Sequence, residues 1–368
     1  MQISSNLHKN FVNFVGFYLF NVIKLIMKKI TAVFVVLAAL LMWQCSRTAD
    51  TVSLKSAVDD GVAKINTAMS VITGTKGYEL MTITDLTKSE ESFNDSINLD
   101  MIAGVYDFVP DTFFCHRFYK PFWRFEKTAE SEMLVMNLPQ RLVFHPRYLF
   151  NPNPPDTVAE NDFTITASDY HCYYSFWHNY DYRLTAGFTL KDEDIGSLDV
   201  MYSGETFADK SYSSEYKFTE DYSVSVSYER GDTSVSSFEL KKGDEILLAE
   251  ERSFIWKGFH QSERMYTLTI GDVQIVRGSE IDSIQVYLDG VLQQTAGARI
   301  TDENEGDGSV CHRRDILLTF DDGTTEKLSE LIGPALDTLG TLTGTMREMY
   351  FAKRIVDHLA FSLYYQRH

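Results

Sequence analysis

Between Tyr212 and Phe254 the chain alternates apolar and small polar residues, and this pattern constrains the fold more than any other feature. In Tyr222-Ser-Val-Ser-Val-Ser-Tyr228, an extended backbone puts Tyr222, Val224, Val226 and Tyr228 on one face and Ser223, Ser225 and Ser227 on the other. One face is then buried and the other wet, as in an antiparallel sheet. Strand signals of this kind begin near Gly77 and run to about Phe320, punctuated by Arg230-Gly231-Asp232, Lys242-Gly243-Asp244, Gly271-Asp272, Arg277-Gly278, Asp289-Gly290 and Asp322-Gly323. Such pairs supply the positive φ angles that hairpin turns need.

The composition points the same way. The chain has 20 Tyr and 25 Phe against only 8 Pro, an aromatic excess that suits a half-buried pleated surface. Its 368 residues are enough for a large core, as one large domain or two medium ones. Residues 145–162 hold four of the prolines and read as a long irregular connection, and the acidic stretch Thr301 to Gly308 reads as a second loop.

Two segments carry a different period. From Leu54 to Ile72 apolar residues recur at 54, 57, 58, 62, 65, 68, 69 and 72, the spacing of one helix face, with Gly74 and Gly77 as a stop. After Phe320, Leu328, Leu331, Ile332, Leu336, Leu339, Leu342, Met346, Met349, Tyr350, Val356 and Leu359 follow roughly helical spacing. Thr324 and Thr325 are N-cap candidates, and Gly333-Pro334 divides the segment into a short helix and a longer one. The expected fold is α+β: a long antiparallel β-meander over residues 76–323, curved and half-barrel-like. An N-terminal helix within 45–75 and C-terminal helices within 324–368 pack against it.

The leader supplies an address. Met27-Lys28-Lys29 precedes an uncharged apolar run from Ile30 to Trp43, followed by Gln44-Cys45-Ser46. A cationic start before a short apolar core is a secretory signal. With a cysteine closing the core, it resembles a bacterial lipoprotein signal, in which cleavage before the cysteine is followed by acylation of its thiol. The family pattern has Leu three places before the cysteine and a small residue just before it; this chain has Met42 and Gln44 there. On this resemblance residues 27–44 are the signal peptide and Cys45 is the lipid attachment site, and more than one acyl chain makes the anchoring stable. An earlier apolar run, Phe11 to Phe20, is too short to span a membrane, and the expectation is that residues 1–26 precede the true start at Met27.

The leader as a whole, and the hairpin grammar of Gly187 to Phe254 (GFTLKDEDIGSLDVMYSG, YSVSVSYERGDTSVSSFELKKGDEILL), resemble exported lipoproteins of Bacteroidetes type. The resemblance in the body covers about a fifth of the chain and implies export and a β-rich body, with no activity attached. In such proteins a dense acidic cluster after the cysteine marks export to the surface. Ser46-Arg47-Thr48-Ala49-Asp50 has one acid, which favours an outer-membrane anchor facing the periplasm.

Charge excludes one class of partner. The net charge is −18, and removing residues 1–44 takes away four lysines and no acid, leaving −22 over 324 residues. Nucleic-acid binding rests on Lys and Arg neutralising phosphates, so it is not expected. The balance keeps an exported protein soluble.

Each remaining cysteine adjoins a histidine: Cys115-His116, His171-Cys172 and Cys311-His312. Zinc favours these ligands, but neighbours on a strand point to opposite faces, so each pair offers one ligand at most. Buried thiols backed by outward histidines are expected, with a Cys115–Cys172 bridge left open as the alternative. The acids Asp192 to Asp194 and Asp302 to Asp307 read as solvated loops; the second has Gly306 where an EF-hand needs an oxygen ligand. With no G-x-S-x-G or phosphate-cradling loop, neither catalytic residues nor a cofactor or metal is expected.

The densest aromatic block runs from His171 to Tyr182, joined by Phe113, Phe114, Phe118, Tyr119, Phe122, Trp123 and Phe125. Such rings offer flat contact area for sugar rings or an apolar ligand. The expected ligand-binding residues are Phe118, Trp123, Tyr173, Phe176, Trp177 and Tyr180. The leading function is thus non-enzymatic binding of an apolar or carbohydrate ligand at the membrane. Docking of an envelope protein is the alternative, and a metal-dependent hydrolase using Cys and His positions comes third.

Overall fold

The computed structural model describes residues 53–83, 96–109, 125–144, 160–174, 180–204, 209–256, 262–278, 284–302, 314–333, 335–348 and 352–367. Ser53–His368 forms one compact unit, which holds every element below; the other unit, Met1–Val52, lies outside the described residues.

The architecture is α+β, dominated by an open, largely antiparallel sheet of 15 strands among the described residues. Its main body is a meander: β4 (Leu134–Leu138), β5 (Phe163–Tyr174), β6 (Tyr180–Leu190), β7 (Glu193–Gly204), β8 (Lys210–Lys217), β9 (Tyr222–Arg230), β10 (Thr233–Lys242), β11 (Glu245–Trp256), β12 (Ser262–Ile270), β13 (Val273–Arg277), β14 (Ile284–Leu288) and β15 (Val291–Leu292). Each pairs antiparallel with the next. Beyond β4 lie β2 (Gly104–Phe108), which pairs with it in parallel, and β3 (Phe125–Ala129); β1 (Ser96–Asn98) pairs with β5. A second sheet has three strands, β16 (Gly297–Asp302), β17 (Arg314–Thr319) and β18 (Thr325–Lys327).

All six turn pairs stand between strands that pair with each other, five of them in tight turns, and Gly243, Gly271, Asp289, Gly290 and Gly323 have positive φ. Arg277-Gly278 instead ends β13 ahead of a longer connection. The β6–β7 turn has no glycine: Lys191 (φ 52°) and Asp192 (φ 64°) both sit in the left-handed region, so the first of the acidic clusters is a hairpin turn. Asp194 there accepts a hydrogen bond from the Gly196 N–H at 2.9 Å.

Alternation sorts the strands as the pattern demands. Leu184, Ala186, Phe188, Leu198, Val200, Val224, Val226, Phe238 and Leu240 are buried on the inner face, while Ser213, Ser227, Ser237 and Glu239 line the outer one. Helices cover the inner face. Helix α1 (Leu54–Thr73) starts at Ser53, whose hydroxyl accepts from the Ser56 N–H, and ends at Gly74. It buries Leu54, Val58, Val62, Ile65, Met69 and Ile72, and it packs on β11, β12 and β13 and on the C-terminal helices.

Three findings differ from the pattern-based reading of the helices. The strand region does not begin at Gly77, because Lys76–Met81 forms a second helix, α2, packed on β7. Gly77 serves that packing: a Cβ there would lie 2.4 Å from the Ile195 carbonyl oxygen. Thr324 and Thr325 are not caps, since the Thr324 hydroxyl donates to Asp322 in the turn at 2.6 Å and Thr325 lies in β18 opposite Thr319. After the short α3 (Leu99–Ile102) and α4 (Gln140–Phe144), helix α5 (Leu328–Ile332) begins instead under an acid from another element. Asp315 of β17 accepts from the Ser329 N–H at 3.3 Å and from its hydroxyl. Gly333 then breaks the chain as expected, before α6 (Ala335–Glu348). The third difference lies farther on, where a single π-helical turn (Ala352–Val356) interrupts the α-helical geometry directly before α7 (Asp357–Arg367).

Candidate functional site

Strand register assembles a row that no local stretch of sequence displays. Across the inner face, Cys172 pairs with Tyr182, Tyr182 with Tyr202, Tyr202 with Tyr212, and Tyr212 with Tyr228. The row continues through Ser236, Arg252, Tyr266, Arg277 and Ile284. Ten strands each contribute one residue, since every neighbour in an antiparallel ladder faces the same way at a given level.

The first half of this row is covered. Tyr170 and Tyr182 both donate to Asp357 Oδ1, at 3.1 and 2.8 Å, and Asp357 is only 5% exposed at the start of α7. Tyr212 donates to the Met346 carbonyl oxygen near the end of α6. Burial, reinforced by the Asp357 charge, pushes the Tyr170 and Tyr182 phenols well above their ordinary range, so they stay protonated donors. Tyr180 packs into the same group, its ring 4.6 Å from that of Tyr202 and stacked on Tyr182. This stretch is a polar anchor that fixes the C-terminal helices to the sheet.

The second half opens into a cleft of about 970 Å³, between β9–β14 and the three-stranded sheet, which contributes Ile300, Asp315 and Ile316. Helix α6 packs on β8 and β9, and the cleft lies beyond its cover. On the large sheet, arginines and rings form a two-by-two checkerboard: Arg252 faces Tyr266 across β11–β12, and Phe254 faces Arg264. The Arg252 guanidinium carbon is 5.8 Å from the Tyr266 ring centroid, and that of Arg264 is 5.5 Å from Phe254. Arg277 lies beside Tyr266 on the next strand, and Tyr228, Ser234, Ser236 and Ser262 complete this wall.

The charges in the cleft are unevenly committed. Arg252 donates from Nε to Glu250 Oε1 at 2.8 Å. Asp315 is occupied at the N-terminus of α5. Among the described residues, Arg264 and Arg277 have no carboxylate partner. Burial, then the Glu250 charge, holds the Tyr266 phenol well above its ordinary range, so it is a neutral hydroxyl at physiological pH. A second, smaller hollow of about 420 Å³ on the outer face is a furrow over Ser213, Ser225, Ser227 and Ser237, flanked by Arg183, Asp199 and Glu215. No ring lines it.

Of the residues singled out by their aromatic density, Tyr173 and Tyr180 are described and face opposite ways. Tyr180 is on the inner face with Tyr182; Tyr173 shares the outer face with His171, opposite Asp181. Phe118, Trp123, Phe176 and Trp177 lie outside the described residues, as do Cys45, Cys115, Cys311 and the leader. Phe125 is buried edge-on against Phe108. Cys172 is buried while His171 turns outward to Asn98 and Asp181, the alternation expected of that pair. The cleft arginines were missed because each stands alone in sequence, and the only trace is their alternation with aromatics in Arg252-Ser-Phe254 and Arg264-Met-Tyr266.

The class defined by this geometry is an open antiparallel meander, helix-covered on one face, with an arginine and aromatic cleft where the cover ends. No protein-family model, no curated protein and no solved structure matches the chain.

Proposed function

We propose that this is an exported, membrane-anchored, non-enzymatic binding protein of the cell envelope whose ligand occupies the cleft beside Tyr228, Phe254 and Tyr266. The cleft itself carries the reading. At about 970 Å³ it has the size of a ligand site, and it combines flat rings with a few convergent polar groups. The hydroxyls of Ser234, Ser236 and Ser262 favour a saccharide over an acyl chain, because sugar hydroxyls need partners that a lipid tail does not. The leader ending at Cys45 supports an outer-membrane anchor on the periplasmic side.

Native mass spectrometry of the full chain, extracted from its own envelope in mild detergent, tests this. A reproducible mass beyond the acylated chain, lost in a Phe254→Ala, Tyr266→Ala variant that still folds, is the expected result. A bare acylated chain that also fails to bind added oligosaccharides would overturn the reading in favour of docking to an envelope protein. Retention in the membrane fraction, lost on Cys45→Ser, checks the anchor.

A further inference from the structure

We infer that the cleft selects an acidic sugar, an anionic group carried on a saccharide ring. This rests on the reading of the cleft as the ligand site. The chain has 34 Lys and Arg against 52 Asp and Glu, yet Arg252, Arg264 and Arg277 converge on this one wall. Neighbouring strands are about 4.8 Å apart, so Arg252 and Arg277, two strands apart in one row, stand roughly 10 Å from each other. Long side chains at that spacing can reach a single anionic group together. Glu250 compensates Arg252, whereas among the described residues no carboxylate does so for Arg264 or Arg277. A bound anion would complete the charge pattern.

The checkerboard also fixes the form of recognition. A guanidinium lying near a ring keeps its in-plane N–H fork available, and that fork matches a carboxylate or sulfate bidentately. The rings offer the apolar face of a pyranose a flat contact, and the serines bond its hydroxyls. A long phosphate polymer is disfavoured by the net charge of −18, while a short acidic sugar meets only the local field.

The test is calorimetric titration of the full-length chain in neutral detergent with three probes: a trigalacturonate, a sulfated disaccharide and a neutral cellotriose. The expected result is that an acidic probe binds at least about tenfold more tightly than the neutral one, the scale of one charge-assisted hydrogen bond, and weakens with added salt. Which acidic probe binds better identifies carboxylate or sulfate as the natural anion. Arg264→Gln and Arg277→Gln should each cost about tenfold, and Arg277→Lys should recover part of it by restoring charge without the fork. Arg183→Gln, in the outer furrow, should change nothing. Equal binding of acidic and neutral probes, insensitive to the arginine variants, would overturn the acidic preference and leave the ligand reading standing. Binding of none of the three, with an unmodified thermal melt, would overturn both; binding only to anionic phospholipid vesicles would replace the sugar with a lipid headgroup.

Discussion

Asp357 is the residue on which the attachment of the C-terminal helices turns. It is buried, and it accepts from two phenols on neighbouring strands. Asp357→Ala would leave the Tyr170 and Tyr182 hydroxyls buried without that acceptor, a loss of about 2–4 kcal/mol. Tyr182→Phe removes one bond and should cost only about 1 kcal/mol. Urea unfolding of both variants separates the two values. Gly77 is a second point of this kind: its close approach to the Ile195 carbonyl leaves no room for a methyl group, and the obstacle is backbone. Gly77→Ala should destabilise by about 2 kcal/mol by shifting α2 off β7, a change that the same unfolding midpoint reads.

Among the elements, the β6–β7 hairpin runs against local preference. Lys191 and Asp192 both hold positive φ, which costs an L-residue free energy that glycine or asparagine avoids. Replacing the pair by Asn-Gly should raise stability by about 0.5–1 kcal/mol, seen as a higher melting temperature with unchanged ligand binding. The same hairpin accounts for the exposed acids of Asp192 to Asp194: the turn needed polar residues and the chain used charged ones. Helix α1, by contrast, was legible in its apolar period and its Gly74 stop, because helix period is a local property, whereas its Ser53 cap went unread. The start of α5 was not legible, since its cap is Asp315, carried by a strand that precedes it in the chain.

For the whole molecule, the buried tyrosines set the response to alkali. Tyr170, Tyr182, Tyr212 and Tyr216 are buried, and burial is the leading cause that raises each phenol above its ordinary value. Below about pH 10 these groups are protonated in both states, and their contribution is fully present. Above it the unfolded chain releases protons that the fold retains, so stability falls as pH rises, by about 1.4 kcal/mol per pH unit for each phenol. Unfolding and tyrosinate absorbance should therefore appear together in one alkaline transition, and early, gradual ionisation of all tyrosines before unfolding would contradict it. The sequence by itself determined the antiparallel meander, four of its hairpin turns and the turn of the second sheet, the N-terminal helix and the break at Gly333, because pleat alternation, turn-forming residues and helix period act over a few residues. Only the tertiary structure decided that Tyr182, Tyr212, Tyr228, Arg252, Tyr266 and Arg277 share one row, and that helices cover its first half and leave its second half open. That row depends on the register of ten strands and on where α6 and α7 come to rest. Both are settled by packing between residues far apart in the chain.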